Sequence, residues 1–436
     1  MSVDALDGVS SLLDKSLLRQ EEGPEGEVRF VVLETIHEFA RERLEVSGEA
    51  EEIGRLHAAF FLDLAEQANQ RLRGPQQVRW LETLTGEHDN LRAAMAWLLE
   101  KGERGTAVRF GWALWIFWWI RGDFTEGRSW MEKALTKGGA MRASDRAKAL
   151  FVAGTMAAGQ ADYRSADVLV EESKSLFEEL GDEEGVALAL GTAGIAAVSQ
   201  KQYERGIALL EKAAGLHREL GYEWETAAVI GLLAGAWLGL GDHGRAEQTA
   251  EEGLALSRMV GEKTVTSVAL FVLATVAHAS DDHERAKKLF EEGLRLAAEL
   301  RDAANIVYYL EGLAAFAASE AKPRRPARLW GAAEALLEAI EATAYTYRAD
   351  RSLHQGQVSA ARARLDETSW TAAWSEGRAM SSEQAVEYAL SGEEPTPPAA
   401  SAPEEQAIGT QPSALTRREQ EVANLLGRRP SGGDPG

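Results

Sequence analysis

The chain has 436 residues, 45% of them apolar, no cysteine and a formal charge of −22. That apolar content supplies core for two or three domains and excludes a disordered chain. The missing cysteines exclude disulfides, thiolate metal sites and a cysteine nucleophile, and the net charge opposes sequence-independent attraction to nucleic acid or anionic lipid.

The N-terminus carries Asp4 and Asp7 and no basic stretch ahead of an apolar run, so it does not read as a secretory signal. Val9 to Arg19 reads as a helix followed by a turn rich in Glu, Gly and Pro. Arg29 to Leu33 can form a strand, and helices are expected over Glu34–Leu44 and Glu51–Gln67. A helix, a strand-like wing and further helices make residues 1–70 a winged-helix-like segment, and 71–105 a helical connector. The most apolar run, Phe110–Ile120, spans only 11 residues between Arg109 and Arg121, too short to cross a bilayer, which takes about 20. The expected setting is cytoplasmic, with no membrane partner.

Residues 106–345 repeat. Tyr163-Arg-Ser-Ala166, Tyr203-Glu-Arg-Gly206, His243-Gly-Arg-Ala246 and His283-Glu-Arg-Ala286 recur every 40 residues, and Phe124-Thr-Glu-Gly127 precedes them by 39. Leu180-Gly-Asp, Leu220-Gly-Tyr, Val260-Gly-Glu and Leu300-Arg-Asp keep the same spacing; glycine at three of the four suits a left-handed helix end. Small residues stand 12 apart in each unit, at Gly154 and Ala166, Gly194 and Gly206, Ala234 and Ala246, and Ala274 and Ala286. They fit the crossing of two antiparallel helices, with Tyr163, Tyr203, His243 and His283 in the turn between them. Large apolar residues such as Leu210 and Phe290 follow one helical turn later.

This small, small, large order resembles the tetratricopeptide repeat over about 200 residues, although a 40-residue unit is longer than the usual 34. The extra length implies longer helices or a longer loop between repeats. The expected fold is all-α, a right-handed superhelix of five to six helical hairpins whose concave surface binds a protein or a small effector. In the first unit Trp115 replaces the small residue, and Trp112, Trp115 and Trp119 share one helical face. A packed cap joining the array to the preceding segment is the preferred reading, an aromatic ligand box the other. Pro323 and Pro326 interrupt a sixth, degenerate unit at Leu329–Ile340, and residues 346–390 are expected to form a helical cap.

Residues 391–414, rich in Pro, Ala, Glu and Ser, read as a flexible linker. After them, in segment 415–436, Leu415-Thr-Arg-Arg-Glu-Gln-Glu-Val-Ala-Asn-Leu-Leu426 carries a capping box, Thr416 with Glu419, and one apolar face. It closely resembles the opening helix of a LuxR-type DNA-binding domain. The chain then turns to Gly427-Arg-Arg-Pro and stops, without residues for a recognition helix. Thr416, Arg417, Arg418 and Glu419 are therefore a DNA-proximal remnant, and specific DNA binding by this chain alone is not expected.

Other stretches extend the resemblance. Leu12–Leu17, Leu33–Ala40, Gly48–Ala50 and Glu87-His-Asp-Asn-Leu-Arg92 look like the junction after the nucleotide-binding domain of STAND-class regulatory ATPases. Leu329-Trp-Gly-Ala-Ala-Glu-Ala-Leu336 and Trp374-Ser-Glu-Gly-Arg-Ala-Met380 look like the post-repeat region of that family. The resemblance implies the sensor segment of a LuxR-type regulator without its ATPase domain. A free-standing adapter with no role at DNA is the alternative.

No chemistry stands out in the residues. A phosphate loop needs a lysine after its glycines, and Gly191-Thr-Ala-Gly194 has none. His278 and His283 straddle a helix end, and His243 and His283 occupy the repeat's tyrosine position. Carboxylate pairs such as Glu171-Glu172 and Glu251-Glu252 read as solvated helix faces. We expect no catalytic residue, cofactor or metal; the oligomeric state stays open.

Overall fold

Every twentieth residue from Ala161 to Arg301 has a left-handed backbone. The φ angles are 58° at Ala161, 68° at Gly181, 61° at Lys201, 76° at Gly221, 86° at Gly241, 78° at Gly261, 60° at Asp281 and 50° at Arg301. Each stops one helix, and the next residue starts another. Asp162, Asp182, Asp242 and Asp282 accept the N–H three residues on, satisfying a donor that a helix start leaves orphaned. The helices between are 17 or 18 residues long. The long repeat therefore comes from longer helices, not longer loops.

The computed structural model describes residues 5–22, 28–32, 34–136, 141–319, 324–340 and 352–391. The segment 392–436, with the linker from 392 on and Thr416, Arg417, Arg418 and Glu419, lies outside the described residues. The chain opens with α1 (Ala5–Asp14), the strands β1 (Leu18–Glu22) and β2 (Val28–Val32), α2 (Glu34–Ser47), α3 (Ala50–Arg71), α4 (Gln77–Gly86) and α5 (His88–Glu100). Antiparallel hairpins follow: α6 (Arg104–Arg121) with α7 (Phe124–Thr136), α8 (Ala143–Gly159) with α9 (Tyr163–Leu180), α10 (Glu183–Ser199) with α11 (Tyr203–Leu220), α12 (Glu223–Leu240) with α13 (His243–Val260), and α14 (Lys263–Ala279) with α15 (His283–Glu299). Then come α16 (Ala303–Ser319), α17 (Arg324–Ala339), α18 (Ser352–Arg362), α19 (Glu367–Arg378) and α20 (Ser382–Ser391). The fold is a superhelix of tetratricopeptide-like hairpins.

One expectation at the N-terminus fails. The helix over Val9–Arg19 ends at Asp14, because Ser16 turns left-handed at φ 55° and the chain enters β1, where Arg19 pairs with Val31. The degenerate sixth unit also begins before Leu329. Pro326 lies in the first turn of α17, where backbone N–H groups have no intrahelical partner to lose.

The hairpins close on small residues. A Cβ on Gly194 would fall 3.4 Å from the Gly206 carbonyl, and one on Gly206 3.2 Å from the Gly194 carbonyl, so α10 and α11 cross backbone to backbone. Ala166, Ala234, Ala246, Ala274 and Ala286 are fully buried. Rings that open second helices reach the next unit: Phe124 fills the space beside Gly159, and Tyr203 that beside Gly239. His283 instead stacks edge-on against Phe316, 6.0 Å between centroids.

Left-handed turns make a clean test. A Cβ at Gly241 meets nothing within 4 Å, so Gly241→Ala should cost about 1 kcal/mol through backbone strain alone. At the equivalent position Lys201→Gly should gain a few tenths, since relief of strain is partly cancelled by a freer unfolded chain. Urea titration of the two variants reads both signs.

The Glu87–Arg92 motif has a structural task. His88 and Arg92, one turn apart on α5, both bind Glu126 of α7, at 3.1 and 2.5 Å. Glu87 takes the Arg29 guanidinium from β2 at 2.7 Å. Burial would raise the Glu126 carboxyl, but the hydrogen bonds from His88 and Arg92 outweigh it and hold it at about 2, below its ordinary 4.5. The same bond to Glu126 raises His88 above 6.5. The carboxylate's stabilisation is thus complete above pH 4.5 and lost as pH falls through about 2, while the imidazole's is complete below pH 6.5 and lost as pH rises through its folded value. Glu126→Gln should therefore cost about 1–2 kcal/mol at pH 5.5, after screening of this partly exposed pair, and distinctly less at pH 2.5; denaturant midpoints at the two pH values check this.

Candidate functional site

Helix α6 is buried on nearly every side, which a run of Phe, Trp, Ile and Leu with almost no polar face requires. Its tryptophans divide. Trp112 packs between the rings of Phe151 and Phe177, with the Lys148 ammonium 5.1 Å from its ring centre, and has a structural place. Trp115 and Trp119, one turn apart, form the wall of a pocket of about 100 Å³.

The pocket runs along the first helices of successive hairpins. Its other walls come from the first helices of the next four hairpins: Phe151 and Thr155 of α8, Gly191, Thr192 and Ile195 of α10, Trp224, Glu225 and Val229 of α12, and Val265 and Val268 of α14. His217 of α11 is the one lining residue from the second helix of a hairpin. Most of the lining is apolar, and its polar groups fall into two kinds.

Some are satisfied. The hydroxyls of Thr155 and Thr192 bond each other at 3.2 Å. Glu225 pairs with Arg73 at 3.0 Å, and burial, opposed by Arg73, raises its carboxyl. Glu262, only 1% exposed, accepts from the N–H of Thr264 at 3.0 Å, from that of Val265 at 2.7 Å and from the Gln77 amide. Others have no partner. The indole N–H groups of Trp115 and Trp224, both ring nitrogens of His217 and the hydroxyl of Thr264 are buried without a hydrogen bond. Burial, with the Arg73 charge adding to it, lowers His217 to about 4, so its imidazole is neutral at pH 7.

The connector bonds residues that line this space: Arg73 meets Trp224 and Glu225, and Gln77 meets Glu262. The loop after α3 and the start of α4 lie against hairpins that are distant in sequence. Arg73 stacks over Trp224 at 5.1 Å, Pro75 packs against Gly261, and the Gln77 carbonyl oxygen accepts from the Lys263 N–H at 3.2 Å. Farther along, Arg121 at the end of α6 donates to the Leu300 carbonyl at 2.8 Å. The connector thus reaches the fourth and fifth hairpins.

The remaining sites named from sequence are not brought together with this pocket. Tyr163, Tyr203, His243 and His283 each begin the second helix of a hairpin. His278 and His283 stack at 5.9 Å beside Phe316. Among the described residues no group of three metal-ligating side chains is found, and no helix is long and apolar enough to cross a membrane. Sequence reasoning missed Arg73, Gln77, His217, Trp224, Glu225 and Glu262. One signal was present: capping position 262 carries Glu where 162, 182, 242, 282 and 302 carry Asp.

Comparison with known proteins gives a partial likeness. No family model matches the chain. Proteins of Mycobacterium bovis and Mycobacterium tuberculosis described as HTH-type transcriptional regulators are 35% identical over 130 residues, 30% of this chain. The chain spans only 14% of the length of these relatives. Among solved structures, a Rap protein complexed with competence and sporulation factor has a TM-score of 0.53 at 12% identity, over 75% of this chain and 97% of that one. A STAND protein with a tetratricopeptide repeat sensor from Pyrococcus horikoshii has a TM-score of 0.44 at 16% identity, over 83% and 58%.

Proposed function

We propose that this chain is the sensor and protein-binding segment of a helix-turn-helix transcriptional regulator of LuxR type, acting as a scaffold without a catalytic centre of its own. The observation that carries this reading is the 35% identity over 130 residues to HTH-type regulators. The likeness of Leu415–Leu426 to the opening helix of a LuxR-type domain supports it. Capture of a protein or small effector on the inner side of the superhelix would change how the hairpins pack, and so the state of whatever domain the array is joined to.

Transcript profiling of the host with the gene deleted and then restored tests the proposal, together with chromatin immunoprecipitation of the tagged chain. A regulator segment alters a defined set of transcripts, and the tagged chain recovers the promoters of that set indirectly, through the DNA-bound domain or protein on which it acts. A deletion that leaves every transcript unchanged, with the tagged chain recovering a protein partner and no promoter, would replace this reading with the free-standing adapter.

A further inference from the structure

We infer that the pocket between Trp115, Trp224 and His217 is a binding site for a small, uncharged, largely apolar molecule carrying a hydrogen-bond acceptor such as a carbonyl oxygen. This deepens the effector arm of the function proposed above and rests on it only in calling the molecule an effector.

The inference starts from buried groups that lack partners. Burying a polar group without a hydrogen bond costs about 1–3 kcal/mol, so folded chains leave few of them. Of the ten such side-chain atoms among the described residues, five belong to the four residues Trp115, Trp224, His217 and Thr264, and all four line this one pocket. Such clustering is what a ligand's absent partner atoms would leave behind.

The chemistry of the unpartnered groups selects the ligand. Two are indole N–H donors, which can only donate, and the others are a neutral imidazole with one donor and one acceptor and the Thr264 hydroxyl, which can do either. The ligand must therefore accept hydrogen bonds. No lysine or arginine lines the pocket, and Arg73 beside it pairs through Nη1 with Glu225, leaving only its Nε–H unpartnered. An anion would also meet the carboxylates of Glu225 and Glu262, both buried at the edge of the pocket. A ligand cation fares no better: the Glu262 carboxylate already has three donors and Glu225 has its arginine. Apart from Thr155 and Thr192, whose hydroxyls bond each other, the rest of the wall is apolar, mostly Ile, Val and Leu with Phe151 and Trp119, which takes apolar surface.

Size follows from the volume. About 100 Å³ is of the same order as the roughly 150 Å³ engineered cavity that admits benzene, so a single ring or a short branched chain fits. The pocket can also be filled without breaking the fold. A Cβ at Gly191 would meet only Val229, at 3.7 Å, so Gly191→Leu projects into free space and replaces glycine inside a helix.

The test uses the full chain with nitrogen-15-labelled tryptophans, whose indole signals are assigned with Trp115→Phe and Trp224→Phe. Four probes are titrated without DNA: cyclohexanone, its near-isostere methylenecyclohexane, cyclohexylammonium and cyclohexanecarboxylate. Cyclohexanone should shift the Trp115 and Trp224 signals and bind about tenfold tighter than methylenecyclohexane, the value of two neutral hydrogen bonds. Gly191→Leu should abolish binding with the melting temperature unchanged or raised. Equal binding of the two isosteres, tightest binding of either ion, binding that survives Gly191→Leu, or no shift with any probe each overturns the inference. Because no readout involves transcription, failure here leaves the promoter experiment untouched, and the reverse holds too.

Discussion

Gly377→Ala is expected to destabilise the C-terminal helices by about 3 kcal/mol or more, although it adds a single methyl group and improves helix propensity. A Cβ at Gly377 would lie under 3.0 Å from the carbonyl of Arg328, and one at Gly331 under 3.0 Å from that of Trp374. Helices α17 and α19 therefore touch backbone to backbone, and no rotamer change relieves a clash with a carbonyl. Everything around the crossing assumes that distance. Glu334 accepts from the indoles of both Trp330 and Trp374, at 2.9 and 2.7 Å, and Arg328 holds Glu376 at 2.6 Å. Separating the axes breaks these bonds while Arg328 stays buried, leaving an uncompensated charge. The control is Gly356→Ala in α18, where a Cβ meets nothing within 4 Å. It should stabilise by up to about 1 kcal/mol through propensity alone. Denaturant melts of both variants, with amide exchange in α19, read the contrast. Equal effects at the two sites would mean that the crossing is not tight.

That crossing explains part of what the sequence resembles. Leu329-Trp-Gly-Ala-Ala and Trp374-Ser-Glu-Gly-Arg are two halves of one contact, each supplying a glycine to the other's carbonyl and a tryptophan to Glu334. Their residue types were readable, but their partnership was not, since 46 residues separate Gly331 from Gly377. The 40-residue period was readable because the aromatic and small positions recur in phase. The finer period of 20 was hidden, because Ala161, Lys201, Asp281 and Arg301 hold the same left-handed backbone as the glycines without sharing their identity.

The pocket was less legible for a related reason. Its lining is one or a few residues from each of several hairpins, and a repeat alignment treats their differences as ordinary variation. Trp115 announced itself by replacing a small residue, which raised a ligand box as one reading, yet Trp224 and His217 carried no such mark. The connector's contact with the pocket wall was invisible from the chain alone, because Gln77 and Glu262 stand 185 residues apart. Only the longer side chain at the capping position hinted that something lay within reach.

That longer side chain gives the second large effect. Glu262→Ala should cost about 2–4 kcal/mol, against about 1 kcal/mol for Asp242→Ala at the equivalent turn. Both residues cap a helix; Asp242 accepts from the Arg245 N–H at 3.0 Å in an exposed turn. Glu262 accepts two backbone N–H groups and also the amide of Gln77, whose carbonyl oxygen in turn takes the Lys263 N–H. Removing the carboxylate leaves three buried donors short of an acceptor, offset in part because a desolvated charge disappears with it. The excess over a plain cap is the tie between the connector and the fifth hairpin. A double-mutant cycle with Gln77→Ala measures it directly and should return a coupling of about 1–2 kcal/mol. Zero coupling, or an equal cost for Glu262→Ala and Asp242→Ala, would reduce Glu262 to an ordinary cap. A coupling of the expected size places the connector and the pocket wall in one cooperative unit, because Glu262 and Glu225 hold Gln77 and Arg73 while lining the same pocket. Whatever occupies the pocket would then act on the segment that leads toward the chain's N-terminus.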